Sequence, residues 1–333
     1  MKKAVAAAVC AVFLCSCAKS ETTQRAVFFG FDTYISAEIT AENADVISQI
    51  KNVCESLDTE LSPYEDGSLV SRYNLGERSE NTLITEICLE YAKAAELLGN
   101  GVTPYCGSVT LLWDISSDSP RIPSDDEIAE GLSFVRNADA VPEEVSNGVL
   151  LDFGAAAKGF YCDKALEILE NNSVSEGKIS AGSSALVYSR SADKTFTAAV
   201  RNPFGDGDAC LFETGNSFIS TAGGYERYFE ADGKKYSHIF DMNTGRPAET
   251  DIASATVVLP AERGCGALSD IASTLIYIGG TENISEYAHK LNTRFDGDFA
   301  VIVISESGEI ISAGDAGIIS VSDGFTERSE NER

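Results

Sequence analysis

The sequence predicts an α+β fold in which mainly antiparallel sheets pack against helices. Apolar residues recur at helical spacing in Ala41–Leu61 and Thr82–Leu98, whereas short β-like runs between Gly, Asn and Asp turns dominate from Lys178 onward. The pair Asp232-Gly233 predicts a hairpin, because these residues tolerate positive φ. No repeat or low-complexity linker divides the chain, so we predict one domain over residues 27–325.

The remaining elements follow from the same two periodicities. Further helices are predicted at Asp125–Phe134, Ala155–Glu170, Gly266–Ile278 and Thr281–Leu291. Strands are predicted at Val27–Ile39, Gly148–Phe153, Lys178–Ser180, Leu186–Ser189, Phe196–Arg201, Ser217–Thr221, Tyr225–Glu230, Tyr236–Phe240, Ala253–Leu259, Phe299–Ser305 and Glu309–Ala313. Residues 326–333 are polar and are expected to form a frayed tail.

Residues 1–16 have the pattern of a secretory signal peptide. A basic start precedes the apolar run Ala4–Leu14, which is too short to cross a bilayer core of roughly 30 Å. The run Leu-Cys-Ser-Cys that ends at Cys17 looks like a bacterial lipoprotein cleavage box, in which the Cys17 sulfur receives a diacylglycerol. The alternative is an ordinary signal peptide with an incidental Cys17. With residues 17–26 as a tether, we expect an exported protein anchored by lipid to the outer face of the cytoplasmic membrane.

The charge balance restricts the possible ligands. The chain has 52 acidic and 25 basic residues and a formal net charge of −27. Such a surface repels phosphate backbones, so nucleic-acid binding is not expected. If the substrate is itself an anion, then a metal ion, a lysine or helix N-termini must compensate for its charge locally.

The cysteines indicate neither a zinc site nor a fixed disulfide pattern. Six of them follow Cys17, and none of these forms a Cys-x-x-Cys pair. Several lie beside apolar residues, which favours buried free thiols, although export permits disulfides. These six residues are Cys54, Cys88, Cys106, Cys162, Cys210 and Cys265.

The segment Asp152–Asp163 predicts a strand, a turn of small residues and then a helix. Small residues let backbone N–H groups approach a ligand, and a helix N-terminus favours an anion. Lys158 lies in the first turn of this helix, where its ammonium group is suited to a phosphate or a ring carbonyl. The alternative is a plain strand–helix turn with an exposed lysine.

A second candidate is the run from His238 to Pro247, which is dense in turn residues. A histidine near a strand end is suited to act as a general base near neutral pH, or else it merely caps a loop. The other histidine of the mature chain, His289, stands beside Lys290 on a predicted helix and is expected to be solvated.

Two further candidates are a pair of oxygen ligands and a loop aromatic residue. Asp270 and Thr274 are four residues apart on a predicted helix, so their side chains share a face. A carboxylate and a hydroxyl suit Mg²⁺, but the same pair would also fit an aspartate at a helix start and a threonine bonded to a carbonyl. Tyr64, in a loop punctuated by Pro63 and Gly67, is either a stacking platform for a planar ring or a partly buried loop residue.

Taken in order, these segments resemble the ApbE-type FAD:protein FMN transferase family over roughly Val27 to Gly280. The opening strand of that family is matched only loosely by Phe29–Thr33. Closer matches to its successive motifs are Ser62, Tyr64, Ser68 and Asn74; Gly101, Pro104, Gly107 and Leu112-Trp113; Asp152, Gly154, Ala157, Lys158, Gly159 and Asp163; Thr221, Gly223, Tyr225, Glu226, Arg227, His238, Asp241, Thr244, Gly245 and Pro247; and Asp270 and Thr274.

The sequence departs from the family pattern at several positions. Ser180-Ala181-Gly182-Ser183 stands where the family usually has Gly-Gly-Asn, which leaves Gly182 as the matching glycine. Other replacements are Ala155 for Gly, Ala222 for Ser, Phe160 for Tyr, Ser237 for a frequent His, Met242 for Pro and Thr103 for a common Asp. These changes affect individual contacts with FAD more than the proposed metal pair or the His238–Asp241 run.

The resemblance implies two lobes with FAD bound in the cleft between them. It implies FAD contacts from Tyr64, Asp152, Lys158, Asp163, Gly182, Thr221, Tyr225 and His238. Mg²⁺ would be bound by Asp270, Thr274 and a carbonyl near Ala157, and Asp241 would orient His238 as the base.

The implied reaction attaches FMN to a Ser or Thr hydroxyl and releases AMP. Family acceptors are exported or membrane redox subunits with an Asp-Gly-x-Ser/Thr-Gly-Ala-Thr motif. Two alternatives stay open at this point: an FAD pyrophosphatase that yields FMN and AMP, and a flavin-binding lipoprotein without catalysis.

Overall fold

The computed structural model describes residues 21–77, 81–115, 117 and 119–330, so the predicted signal peptide and Cys17 lie outside the described residues. The helices are α1 (Val46–Leu61), α2 (Leu69–Asn74), α3 (Thr82–Leu98), α4 (Gly107–Trp113), α5 (Asp125–Phe134), α6 (Ala157–Asn171), α7 (Cys265–Gly279) and α8 (Ile284–Phe295), with short 3₁₀ helices at Pro104–Cys106 and Thr281–Asn283. No helix within these ranges is long and apolar enough to cross a membrane.

The strands are β1 (Thr22–Gly30), β2 (Thr33–Ala41), β3 (Glu176–Ala181), β4 (Ser184–Ser189), β5 (Phe196–Arg201), β6 (Asp208–Thr214), β7 (Ser217–Ala222), β8 (Tyr228–Ala231), β9 (Lys234–Ser237), β10 (Phe240–Asp241), β11 (Arg246–Pro247), β12 (Ile252–Pro260), β13 (Ala300–Ser305), β14 (Glu309–Gly314), β15 (Ile318–Val321) and β16 (Thr326–Ser329). Nine of them form one sheet in the order β1-β2-β3-β4-β7-β12-β13-β14-β16. All neighbours in it are antiparallel except β14 and β16. The predicted α+β class is confirmed, and the division into two lobes stays a prediction.

The large sheet has a core on each face. Helices α1, α6 and α7 pack on one face, and α3 packs behind α7. On the other face, the three-stranded sheet β15-β6-β5 covers the region of β7, β12 and β13 through side chains such as Phe212 and Ile302. A third, smaller cluster joins Trp113 of α4 to Phe240.

Helices α6 and α7 cross with their backbones in close contact. A Cβ atom placed on Gly159 would lie 2.1 Å from the carbonyl oxygen of Gly266, and one placed on Gly266 would lie 2.4 Å from the carbonyl oxygen of Gly159. Since real Cβ contacts are longer than this, only glycine fits at either position. The crossing brings the N-terminal turn of α6 next to the first two turns of α7, which contain Gly266 and Asp270.

The structure corrects the prediction of one opening strand at Val27–Ile39. The segment belongs to a hairpin, in which Gly30 pairs with Thr33 across a two-residue turn. Both turn residues, Phe31 and Asp32, have positive φ (52° and 54°). Phenylalanine rarely adopts this conformation, so the turn carried no recognisable sequence signal.

The predicted strand Gly148–Phe153 is also wrong, because no strand forms there. The segment is held by loop contacts instead: the Asn74 side chain bonds both the N–H and the carbonyl of Leu151, and the Asp152 N–H donates to the Pro104 carbonyl.

The prediction of a frayed tail over residues 326–333 is wrong for Thr326–Ser329, which forms β16. Strands β6 and β15 were not predicted. The predicted helices, the Asp232-Gly233 hairpin and the closing hairpin are confirmed within a few residues. All six described cysteines are free, and five are buried, as expected.

Candidate functional site

A cavity of about 420 Å³ opens at one end of the large sheet. The β1–β2 turn, the β3–β4 turn and the end of β7 border the cavity on the side of the sheet. The start of α6 and part of α7 border it on the opposite side. Its size is within the range of about 300–1,000 Å³ that is common for ligand sites. It brings together most of the predicted site residues: Tyr64, Asp152, Ala157, Lys158, Gly182, Thr221, His238, Asp270 and Thr274.

The turn before α6 is built around the Asp152 carboxylate. One of its oxygens accepts from the Gly154 N–H (2.8 Å), and the other accepts from the Thr110 hydroxyl (2.5 Å). These bonds position the start of α6, whose second residue is Lys158. An ammonium group and a helix N-terminus therefore face the same cavity, an arrangement that favours an anionic ligand.

The Asp270 carboxylate is buried and faces the cavity from α7. Its Oδ2 accepts from the Gly159 N–H (2.7 Å), and its Oδ1 accepts from the Ser184 hydroxyl (2.6 Å). Two donors leave part of the carboxylate's acceptor capacity for another ligand. Thr274, one helical turn later, lines the same cavity, so the predicted pairing of these side chains on one face agrees with the structure.

His238 is held by the backbone of Arg227. Its Nδ1 lies 3.0 Å from the Arg227 carbonyl oxygen. Because a carbonyl only accepts, Nδ1 carries the proton, and the neutral ring keeps its lone pair on Nε2. Burial, reinforced by the charges of Lys158 and Arg227, lowers the pKa of His238 to about 4, so the ring is neutral at pH 7.

An aromatic cluster supports the segment that follows His238. Trp113 is fully buried, and its indole N–H donates to the Gly245 carbonyl (2.9 Å). Its ring packs against those of Tyr236 and Phe240 on either side of the histidine. The Leu-Trp motif therefore positions the His238 run through contacts that are distant in sequence.

Gly182 and Thr221, the remaining candidates on the sheet side of the cavity, lie close together. Gly182 occupies a two-residue turn between β3 and β4 with a φ of 62°, a conformation that favours glycine. The backbone carbonyl of its neighbour Ser183 accepts a hydrogen bond from the Thr221 N–H (2.9 Å).

Tyr64 lies on the loop after α1 and is 57 % exposed at the cavity, as a stacking platform would require.

Three predicted site residues do not line the cavity: Asp163, Tyr225 and Asp241. Asp163 is buried and accepts from the N–H groups of Gly264, Gly266 and Ala267, so it caps the start of α7. Burial raises its pKa to about 7. The Tyr225 ring packs against Gly223, which does line the cavity.

Asp241 does not orient His238 in this structure. Its Oδ1 accepts from the backbone and side-chain nitrogens of Asn243, whereas the Arg227 carbonyl holds the histidine. The predicted hydrogen bond to Asp241 that would orient His238 is therefore not formed here. The reason is local: the Asp241 side chain bonds the backbone N–H two residues later, at Asn243, and so closes its own turn.

Sequence reasoning missed some residues of the cavity. Arg227 lines it and donates to the Phe31 carbonyl (3.3 Å). The Glu-Arg pair of the family motif was a signal for this residue. Asp58, whose pKa is raised by burial, also lines the cavity and accepts from the Phe31 N–H. It lacked a signal because the turn at Phe31 was not predicted.

Comparisons with known proteins agree with the motif order. The model of the ApbE family matches residues 31–297. The FAD:protein FMN transferase of Treponema pallidum is 31% identical over 206 residues, which cover 55% of this chain and 57% of the relative. The match therefore spans little more than half of that relative. The FAD:protein FMN transferase of Vibrio cholerae is 25% identical over 261 residues, covering 74% of this chain and 77% of the relative.

The fold is also similar to that of a solved structure. The crystal structure of the ApbE protein from Thermotoga maritima superposes with a TM-score of 0.76 at 22% identity, covering 87% of this chain and 96% of that one. At this identity the likeness shows the fold alone. The family model, however, extends over most of the sequence, and the chain belongs to the ApbE family.

Proposed function

We propose that this protein transfers the FMN moiety of FAD to a Ser or Thr hydroxyl of an exported or membrane redox protein and releases AMP. Family membership and relatives named FAD:protein FMN transferase support this activity. The observation that carries the proposal is the convergence of Lys158, the Asp270–Thr274 pair and His238 in one cavity. Together they offer a cation, oxygen ligands and a proton acceptor.

The donor set fits a Mg²⁺ ion that is bound together with its substrate. Asp270, Thr274 and the Ala157 carbonyl would supply a carboxylate and two neutral oxygens. Within the described residues, no group of three His, Cys, Asp or Glu side chains offers a metal site. Mg²⁺ commonly uses one or two carboxylates together with substrate phosphates, so FAD would complete the site. When bound, the ion would neutralise charge on the diphosphate.

The proposed chemistry is an in-line displacement at phosphorus. The acceptor hydroxyl oxygen forms a bond to the FMN phosphorus, and the bond from that phosphorus to the bridging oxygen breaks. The bridging oxygen and its electron pair leave with AMP. His238 Nε2 takes the hydroxyl proton, and Lys158 and the α6 N-terminus position the diphosphate. Positioning and charge stabilisation dominate such transfers.

Ligand binding is expected to make His238 a better base. A pKa of about 4 is low for this role, since a general base works best with a pKa near the operating pH. Part of the depression comes from Lys158 and Arg227, whose charges a bound diphosphate would oppose. The pKa of His238 should therefore rise when FAD binds without Mg²⁺, and rise less when Mg²⁺ balances the diphosphate charge.

Incubation with FAD, MgCl₂ and a redox-protein fragment with the family acceptor motif tests the proposal. Flavin fluorescence that stays with the fragment in a denaturing gel supports transfer. Free FMN and AMP without labelling would instead support the pyrophosphatase, because water would have replaced the hydroxyl. Retention of intact FAD would support a binding protein without catalysis.

We also propose that Cys17 carries the lipid anchor and places the enzyme on the outer face of the cytoplasmic membrane. The lipoprotein box at the N-terminus supports this location. Metabolic labelling with a fatty acid should mark the wild-type chain but not Cys17→Ala. Equal labelling of both chains would contradict the anchor.

A further inference from the structure

The β1–β2 hairpin bears an exposed apolar patch beside the cavity. Val27, Phe29 and Tyr34 are 71 %, 60 % and 74 % exposed. Phe29 pairs with Tyr34 across the strands, and Val27 lies two residues earlier in β1, so all three side chains share one face. The rings of Phe29 and Tyr34 meet edge to face at 5.7 Å. We call these three residues the hairpin patch.

The rest of the protein leaves the hairpin patch open in the part of the chain that the structure describes. The opposite face of the hairpin is buried through residues such as Ile35 and packs against α1. The three-stranded sheet β15-β6-β5 packs on the region of β7, β12 and β13 and not on β1 or β2. Exposed apolar clusters of this kind commonly mark interaction sites.

The hairpin patch lies next to the turn of the same hairpin that borders the cavity. Phe31, Asp32 and Thr33 line the cavity, and Phe29 and Tyr34 form the next cross-strand pair after the Gly30–Thr33 pair that closes the turn. A protein whose hydroxyl enters the cavity must contact the surface around its mouth. On the basis of the proposed function, we propose that the hairpin patch binds the acceptor protein beside the hydroxyl that receives FMN.

The distribution of residues along the hairpin favours an acceptor protein over a membrane. The patch is at the turn, whereas the end where β1 begins is polar and carries the Arg25–Glu38 ion pair and the Thr23–Thr40 hydrogen bond. A patch that served the lipid anchor would be expected near that end, where the chain enters from the predicted tether. Because β1 begins at Thr22, the prediction of a tether over residues 17–26 is wrong for residues 22–26. The net charge of −27 also opposes contact with anionic lipid.

The position of β1 suggests how the acceptor is held. It is one of the two edge strands of the nine-stranded sheet, so an extended acceptor segment can pair with its backbone while apolar side chains cover Val27 and Phe29. Aromatic side chains are common anchors in protein interfaces. The recognised partner is therefore an extended segment with apolar residues close to its acceptor motif.

The double variant Phe29→Ser/Tyr34→Ser tests the hairpin patch, because neither residue lines the cavity. The probe is the motif-bearing redox-protein fragment, and FAD affinity is measured alongside transfer. We expect kcat/KM for the fragment to fall about ten- to thirtyfold, as for loss of an interface anchor, with FAD affinity within twofold of wild type. Phe204→Ser, which removes a 52 % exposed ring from the β5–β6 loop, is the matched control and should leave both unchanged.

Unchanged acceptor kinetics in the double variant would overturn the docking proposal while leaving the transferase activity intact. If the double variant keeps normal acceptor kinetics but loses self-association, the hairpin patch binds a second copy of the chain. If it keeps normal kinetics but loses binding to phosphatidylglycerol vesicles, the patch binds a membrane. Either result would overturn the docking proposal. A wild-type enzyme that labels no fragment would overturn the proposed function itself, and the docking proposal with it.

Discussion

The Asp270 carboxylate on α7 accepts a hydrogen bond of 2.7 Å from the Gly159 N–H on α6. Gly159 is the third residue of α6, where backbone N–H groups lack partners within the helix. In the opposite direction, Asp163 of α6 accepts from the N–H groups at the start of α7. Each helix thus caps the other, and the candidate metal ligand Asp270 is fixed against the helix that carries Lys158.

The glycine crossing should be essential for stability. In Gly159→Ala, the new Cβ would meet the Gly266 backbone at 2.1 Å, so the helices must separate. We expect a loss of about 1–3 kcal/mol or more in the free energy of unfolding, measured by urea denaturation. Gly215→Ala is the matched control, because nothing lies within 4 Å of its Cβ, and it should change stability by less than about 1 kcal/mol. Equal stability of the two variants would contradict the close crossing.

The His238 titration can be observed directly, since the chain has only two histidines. In NMR spectra, the ring of His238 should stay neutral down to about pH 4. Between an unfolded pKa of about 6.5 and the folded value, the unfolded state binds a proton that the folded state does not. The contribution of His238 to stability is therefore full above pH 6.5 and is lost as the pH falls toward 4. A His238 signal that titrates near 6.5 would contradict its burial.

Removal of the proposed base should slow transfer more than it weakens binding. His238→Gln keeps a polar side chain but has no basic nitrogen. We expect transfer to fall about 10²–10⁴-fold while FAD affinity changes much less. Stopped-flow transfer rates and flavin fluorescence titrations separate the two effects. His289→Gln, at the exposed histidine, should behave as wild type. A similar rate in both variants would eliminate His238 as the base.

Lys158 should contribute to binding of the diphosphate. A hydrogen bond to a charged group is worth about 1.5–3 kcal/mol, so Lys158→Gln should weaken FAD binding roughly ten- to hundredfold. Lys164→Gln is a control from the same helix, because that lysine pairs with Glu86 and does not line the cavity. Fluorescence titration with FAD measures both. If the two variants bind FAD equally well, the diphosphate does not contact Lys158.

The sequence revealed those parts of the site whose chemistry is local. The spacing of Asp270 and Thr274 predicted one helix face, and the small residues before Lys158 predicted a helix start at a ligand site. Long-range contacts were not predictable in the same way. The cap that Asp163 forms on α7 spans about a hundred residues of sequence, and it was interpreted as an FAD contact because the motif alone does not separate a ligand from a support.

The fold was predictable to a similar extent. Helices with clear periodicity and capping signals, such as Thr82–Leu98, were located correctly. The β1–β2 turn was missed because Phe31 adopts a conformation that its residue type disfavours. The Gly148–Phe153 run has the apolar character of a strand, but Asn74 and Pro104 bind its backbone in place of a neighbouring strand.

The most direct test of the proposed metal site is the Mg²⁺ dependence of FMN transfer in two variants at Thr274. Thr274→Val keeps the side-chain shape and removes the hydroxyl, whereas Thr274→Ser keeps the hydroxyl. We expect the Mg²⁺ concentration for half-maximal transfer to rise at least about tenfold in Thr274→Val, on the order of 1.4 kcal/mol for one lost ligand, and to stay near the wild-type value in Thr274→Ser. The same Mg²⁺ dependence in all three proteins would contradict a metal ion bound by Asp270 and Thr274.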